Sequence, residues 1–368
     1  MKQIFLIALM LLVFFGLFFY VFFRLWQMVP IGKPLFLSVS ITLIAIMFLG
    51  FLSGYFLPTT ISTIFYHVGM TVLKMALYLV LVFVIFDILR LIFPAQMQQI
   101  LIGNWKTFSI LMFSLAAFFS YAHLTYRNVV REEITIAIDK DISPLRIVAI
   151  SDLHLGYGVS RAKLNRWITL INQANPDIVV MPGDIIDNHV RPLIDRDIAT
   201  QLRQINARFG VFASLGNHEY LGGIYRVLEF LNDANIKVLR DTAVRINDEF
   251  YLIGRDDLTN RNRKSIAELV QNIDISKPLI LLDHQPFDLS EAEKNGIDLQ
   301  ISGHTHRGQM WPASWIAEKI FENAHGHSQR GNTHFFVSSG IGIWGGKFRL
   351  GTQSEYVVID LKPKNLRN

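Results

Sequence analysis

Two stretches near the start of this chain narrow its architecture more than anything else in it. Ile4 to Phe23 is an uncharged apolar run of 20 residues, and Leu35 to Leu57 is another of 23. A hydrocarbon core takes roughly 20 apolar residues as a helix, so each run can span one. Thr71 to Phe93 is a third candidate, with Lys74 near one end and Asp87 and Arg90 near the other, where they can pair or snorkel. Thr107 to Tyr126, interrupted only by His123, is a fourth. Runs without a polar face do not suit a soluble bundle. A cleavable signal peptide matches the first run poorly, because its apolar part is too long and no small-residue cleavage site follows. The expectation is an all-α membrane region of about four transmembrane helices over 1–126, multi-pass in a cell membrane, with the lipid bilayer as partner.

Four spans return the chain to the side on which it starts. Lys2, Lys74, Arg127, Arg131 and Lys140 then lie on that side, and Arg24, Lys33, Arg90 and Lys106 on the other. Five against four does not decide orientation by the positive-inside rule, and the expectation leans to a cytoplasmic catalytic domain. Asp87 and His123 are expected at helix ends, touching headgroups or water. The chain has no cysteine, which excludes disulfides, zinc-thiolate sites and thiol nucleophiles. A formal net charge of +5 without a block of like charges gives no reason to expect a nucleic-acid partner.

Past residue 126 the composition becomes that of an ordinary globular domain. A polar connector over 127–144 carries some alternation (Ile134, Ile136, Ile138), as a connecting strand would. From 145 to 363 short apolar runs alternate with helical stretches: strands at Ile147–Ile150, Ile178–Met181 and Val211–Ser214, helices at Ser160–Ala174 (Ser160 as N-cap), Ile194–Ala207 and Ile224–Asn232. Later strands at 237–239, 243–246, 251–253, 279–282, 299–301, 335–338 and 356–359 have little helix between the first three, which argues for an α/β core with a second sheet. A short tail, 364–368, ends the chain.

Five loops follow these strands: Asp152-Leu153-His154, Gly183-Asp184-Ile185-Ile186-Asp187, Gly216-Asn217-His218-Glu219, His284, and Gly303-His304-Thr305-His306. Binding sites in open α/β sheets lie beyond the carboxyl ends of strands. Any one of these loops alone would be an ordinary turn or helix start; five converging on one rim offer carboxylates, an amide and imidazoles, a donor set suited to a pair of divalent metals.

In this order the motifs resemble the calcineurin-like metallophosphoesterase superfamily over roughly Leu145 to Lys362. The Gly-His-Thr-His start, Gly308-Gln309 and Gly340-Ile341-Gly342 are similar to its bacterial membrane-anchored YaeI- and YkuE-like branch, in which a Gly is usual where Arg307 stands. The resemblance implies a two-sheet β-sandwich flanked by helices. It implies one metal held by Asp152, His154, Asp184 and His306 and a second by Asp184, Asn217, His284 and His304, with Asp184 bridging. Imidazole with carboxylate suits Mn, Fe, Zn or Ni. A metal-activated hydroxide would attack phosphorus, with His218 protonating the leaving group and Asp187 accepting a hydrogen bond from it. Glu219 would support its loop.

Arg307 is sited to meet a phosphate beside the metals. His189, His325, His327 and His334 fall outside the pattern, His325-Gly326-His327 as a loop that could approach the substrate, and Arg349 is unassigned. Trp311-Pro312-Ala313-Ser314-Trp315-Ile316 could dock at the lipid interface or pack in the core. The expected function is a membrane-anchored phosphoesterase hydrolysing a lipid-linked or envelope-related phosphoester. A membrane sensor or scaffold whose phosphoesterase domain binds without turnover is the alternative; an inactive descendant would have no reason to keep every metal position.

Overall fold

The computed structural model describes residues 2–29 and 31–364, and within the first helix the side chain of Leu9 and those from Leu12 onward. The chain divides into two compact units, 1–121 and 122–368.

The first unit is helical: α1 (Lys2–Met28), α2 (Lys33–Phe56), α3 (Thr59–Ile92), α4 (Pro94–Leu101) and most of α5 (Trp105–Arg127). Among the described residues α2, α3 and α5 are long and apolar enough to cross a bilayer, and Leu12–Met28 is a shorter apolar helix. The run expected at Ile4–Phe23 is helical in backbone, but several of its side chains lie outside the described residues. The third run is longer than the sequence pattern indicated: Thr59–Met70 precedes it in the same helix, where the Thr63 hydroxyl donates to Thr59 O (2.7 Å). α2 and α3 form a tight hairpin around Pro58. A Cβ on Gly69 would meet Ile46 O at 2.8 Å and Gly50 Cα at 3.1 Å, so glycine at this crossing is what lets the backbones touch. Asp87 bonds Tyr20 Oη (2.6 Å) and pairs with Arg24, so its charge is met within this unit.

In the second unit two six-stranded sheets face each other. The first contains β1 (Val129–Ile138), β2 (Leu145–Ala149), β3 (Ile178–Pro182), β4 (Val211–Ser214), β5 (Lys237–Val238) and β12 (Ser354–Pro363), in the order β1-β12-β2-β3-β4-β5. The second contains β6 (Thr242–Ile246), β7 (Phe250–Gly254), β8 (Leu279–Leu282), β9 (Leu299–Ser302), β10 (Gly326–Arg330) and β11 (Thr333–Val337), in the order β10-β11-β9-β8-β7-β6. Ile147, Val180, Phe212, Leu252, Ile280, Ile301 and Ile359 fill the space between the sheets. Helices α6 (Arg161–Gln173), α8 (Ile198–Leu202) and α10 (Ile224–Asp233) cover the outer face of the first sheet, and α11 (Ile266–Val270) and α12 (Leu289–Lys294) that of the second. The result is the expected two-sheet sandwich flanked by helices.

Three local features differ from the sequence pattern. Residues 127–144 hold a ten-residue strand that pairs along its whole length with β12, and Ile136 and Ile138 sit in the inter-sheet core. The helix expected over Ile194–Ala207 is two short ones, α7 (Arg191–Asp195) and α8, broken where Asp197 takes φ +49. His325-Gly326-His327 is no free loop: it leads into β10, where His327 stacks on His334 of β11 (ring centroids 5.3 Å apart). Ser160 caps α6 as its sequence indicated, its hydroxyl accepting from Lys163 N–H (3.3 Å).

Candidate metal centre

β2, β3 and β4 of one sheet and β8 and β9 of the other end at a common rim, and the five motif loops leave from it. Their backbones are unusual. Asp152, His154, Asp184, His304, His306 and Arg307 all have φ between +45° and +70°, a region that non-glycine residues enter at a cost of order 1 kcal/mol or more. The loops are also pressed together. A Cβ on Gly216 would meet Asp184 N at 2.6 Å and His284 Cδ2 at 2.8 Å, and one on Gly303 would meet Ser151 Oγ at 2.7 Å. Glycine in the Gly-Asn-His and Gly-His motifs therefore answers to close approach of other loops. Glu219 ties two loops together, its carboxylate accepting from the N–H groups of Asp184 (2.9 Å), Ile186 (2.9 Å) and Gly216 (2.7 Å).

The side chains gather in three groups: Asp152, His154 and His306; His154, Asp187 and His218, which shares His154 with the first; and Asp184, His284 and His304. Asp184 Oδ2 lies 3.7 Å from His154 Nε2 and 3.2 Å from His284 Nε2. His154 Nε2 and His306 Nε2 are 3.0 Å apart, His306 Nε2 and Asp152 Oδ1 3.5 Å. Asn217 Oδ1 lies 3.0 Å from His304 Nδ1. Two donors each about 2.1 Å from one cation stand ~3.0–3.4 Å apart, so most of these spacings are those of shared ligation.

Hydrogen bonding tests whether a cation fits. His284 donates Nδ1–H to Pro182 O (2.8 Å), which leaves its buried Nε2 facing the Asp184 carboxylate at 3.2 Å. Burial opposes a charge on this ring, yet Asp184 above all raises it well above its usual range, so a positive charge belongs between Nε2 and the carboxylate, a place that a cation can take from the proton. The residues fit a divalent metal.

The charges point the same way. Burial and then the charge of His284 push His304 down to about 4, and burial with His154 pushes His306 well below its usual range, so both are neutral as ligands must be. Burial would raise the Asp184 carboxyl, but His284 above all holds it well below the carboxylate range. Burial likewise opposes the charge on Asp187, yet the facing imidazoles of His154 and His218 bring it to about 2. His218 Nδ1 bonds the backbone carbonyl of Asp187 (3.0 Å), with the carboxylate slightly farther at 3.4 Å. The main chain of Asp187 thus holds the ring more closely than its side chain.

Arg307 belongs to none of the three groups. It stands in the 3₁₀ turn His306–Gly308 and lines a separate polar cleft of about 220 Å³ with Glu318, Glu322, Asn323 and His325. His325 is turned to the Glu355 carboxylate (3.0 Å). Arg349, unassigned from sequence, is wholly buried, and its guanidinium donates to Ser339 O (2.6 Å), Gly342 O (2.9 Å), Gly340 O (3.0 Å) and His306 O (3.3 Å). Sequence reasoning also missed Ser151, whose hydroxyl donates to Asp152 Oδ2 (2.5 Å), and Trp344, whose ring lies 6.3 Å from His218. A hydroxyl ending an otherwise apolar strand was a signal for the first; nothing local marked the second.

Residues 145–308 match the model of the calcineurin-like phosphoesterase family. An uncharacterized metallophosphoesterase of Campylobacter jejuni is 33% identical over 267 residues, 70% of this chain and 70% of that protein. The chain belongs to this family. It is a metal-dependent phosphoester hydrolase. A second metallophosphoesterase, of Aquifex aeolicus, is 33% identical over 262 residues, 69% of this chain and 99% of that one. A transmembrane protein with metallophosphoesterase domain from Danio rerio is 33% identical over 64% of this chain and 57% of its own length. In this phosphoesterase the family match begins with β2 and ends at the 3₁₀ turn, so it takes in all five motif loops.

Proposed function

We propose that this membrane phosphoesterase hydrolyses a lipid-linked or envelope-related phosphoester with two divalent cations, one held by Asp152, His154, Asp184 and His306 and the other by Asp184, Asn217, His284 and His304. The observation that carries the reading is the position of Asp184 Oδ2 between His154 Nε2 and His284 Nε2, where one carboxylate can serve both groups. Such a pair of cations supplies Lewis acidity toward phosphoryl oxygens and a water of lowered pKa.

The chain's own residues do the rest. Asp187, facing His154 Nδ1 at 3.7 Å, keeps the proton on that nitrogen and leaves Nε2 free as a ligand. Its backbone carbonyl does the same for His218, so that His218 Nε2 is the atom that meets the leaving group and delivers a proton to it. Loops this tightly packed hold those atoms in place before substrate arrives, so little reorganisation is needed. Arg307, at the mouth of the neighbouring polar cleft, binds the anionic part of the substrate beyond the scissile phosphate. The apolar helices support residence in a membrane; the reading takes the protein as multi-pass, with the catalytic domain in the cytoplasm.

Turnover of a chromogenic phosphodiester and phosphomonoester in Mn²⁺ tests the roles. His218→Ala should lower turnover of an alkyl ester by ~10²–10⁴-fold. A nitrophenyl ester, whose leaving group needs no proton, should lose far less. Equal losses on both would remove His218 as the acid.

A further inference from the structure

Outside α5, the large apolar side chains that the second unit exposes lie in the loops and helices that follow strand ends at the metal rim. Leu221 (65% exposed), Tyr225 (84%), Phe287, Trp315 (58%), Ile320 (59%) and Trp344 are all of this kind. Among the described residues Ile275, at the opposite end of β8, is the exception. Trp311, Trp315, Ile316 and Ile320 project from α13 (Ala313–Ile320) and the turn before it, within reach of the 3₁₀ turn that carries His306. Exposed apolar surface concentrated in this way marks an interface.

The chain shows what covers it. Ala122 O, in the last turns of α5, accepts from Arg349 N–H (3.0 Å), and His123 Nδ1–H donates to Lys347 O (3.0 Å). The loop 344–350 so fixed then binds the metal rim: Gln309 Nε2 donates to Trp344 O (3.0 Å), and Trp311 N–H to Leu350 O (2.9 Å). Two short steps of hydrogen bonding thus lead from the end of a helix that can cross a bilayer to the start of α13. Arg127, Arg166 and Lys347 surround this junction, near enough for their charges, after burial, to help push Lys163 down to about 6. Cations at a membrane exit attract anionic headgroups, and tryptophan favours that layer.

We propose that this apolar rim is seated in the headgroup layer of the bilayer, so that the Asp/His cluster meets phosphoesters of amphiphiles lying in the membrane plane. The substrate class rests on the phosphoesterase reading; the seating does not. An apolar helical face immersed about 5–10 Å would be sufficient.

The chain has no cysteine, so one can be placed at will. Full-length Trp315→Cys, Ile320→Cys and, as a control, Ile275→Cys are spin-labelled and reconstituted in phosphatidylcholine–phosphatidylglycerol vesicles. Labels at 315 and 320 should be open to dissolved oxygen and closed to a water-soluble nickel chelate, and the label at 275 the reverse. Chelate access at 315 or 320 equal to that at 275 overturns the proposal. Shelter from both probes also overturns it, since that would mean a protein partner. Hydrolysis of a soluble chromogenic ester by the same samples reports separately: no turnover with lipid-immersed labels would end the phosphoesterase reading and leave the seating intact.

Discussion

In the helical unit Phe19, Tyr55, Leu91 and Phe113 are 67%, 74%, 85% and 77% exposed, whereas Ile147, Val180, Leu252 and Ile301 of the catalytic unit are wholly covered. One chain therefore turns the same kind of residue outward in its first third and inward in the rest, as lipid and water respectively demand. Both units use glycine for close approach, at Gly50 and Gly69 in one and Gly216 and Gly303 in the other, but to different ends. In the helices it brings two backbones together where burial of apolar surface gives no drive for association. At the rim it makes room for carboxylates and imidazoles to crowd. Among the described residues, non-glycine residues in the left-handed region are thus confined to the unit that carries chemistry.

This division can be broken from either side. Asp184→Ala should produce the largest change: turnover lower by ~10³-fold or more, on the scale of losing a main electrostatic group, and a fall in bound metal by elemental analysis. The α2–α3 hairpin should be unaltered; retained metal and turnover would refute the shared-carboxylate arrangement. Arg349→Met comes next. It takes the guanidinium from four buried carbonyls, of which Gly340 O and His306 O keep a backbone N–H while Ser339 O and Gly342 O stand to lose about 1–3 kcal/mol each, so the catalytic unit should melt several degrees lower in detergent. Arg349→Lys should recover part of that loss.

Gly69→Leu probes the other side. It forces the hairpin apart at a cost of about 1–3 kcal/mol, read as a lower melting temperature, while hydrolysis of a soluble ester stays within about twofold. The smallest effect is expected from Lys163→Met. The Lys163 ammonium is mostly buried over the Tyr126 ring (3.2 Å), and its folded pKa of about 6 lies below the ordinary value of 10.5. A depressed lysine costs stability as pH falls from 10.5 toward 6 and costs nothing above 10.5. The methionine variant should therefore melt about 2–4 °C higher at pH 7, with the gain shrinking by pH 10.

Much of this was legible beforehand. The strands of the catalytic unit were marked by short apolar runs, and the site by motif residues, since both depend on local residue type. Period and length cannot report what distant segments do. β1 read as a connector because its pairing strand, β12, lies at the other end of the sequence. β10 read as a loop because Gly326 and two histidines carry little strand propensity, and only the β11 ladder makes it one. Arg349 had no motif around it; its role comes from carbonyls that converge after folding. The side of Asp187 that holds His218 was likewise beyond sequence, which names a residue and not which of its oxygens is nearer.

The pairing of β1 with β12 has a consequence for biosynthesis. β12 lies between β1 and β2, bonded to both, and Val129 is matched with Ser354. As the ribosome delivers the chain, β1 emerges directly behind α5 and stays without its partner until β12, separated from it in sequence by ten other strands, has been made. During translation the flanks of β1 and β2 are both open edges, able to pair with any other strand nearby. Until then α5 is the tether of the nascent domain, and the ten-residue β12 decides whether that sheet closes on itself.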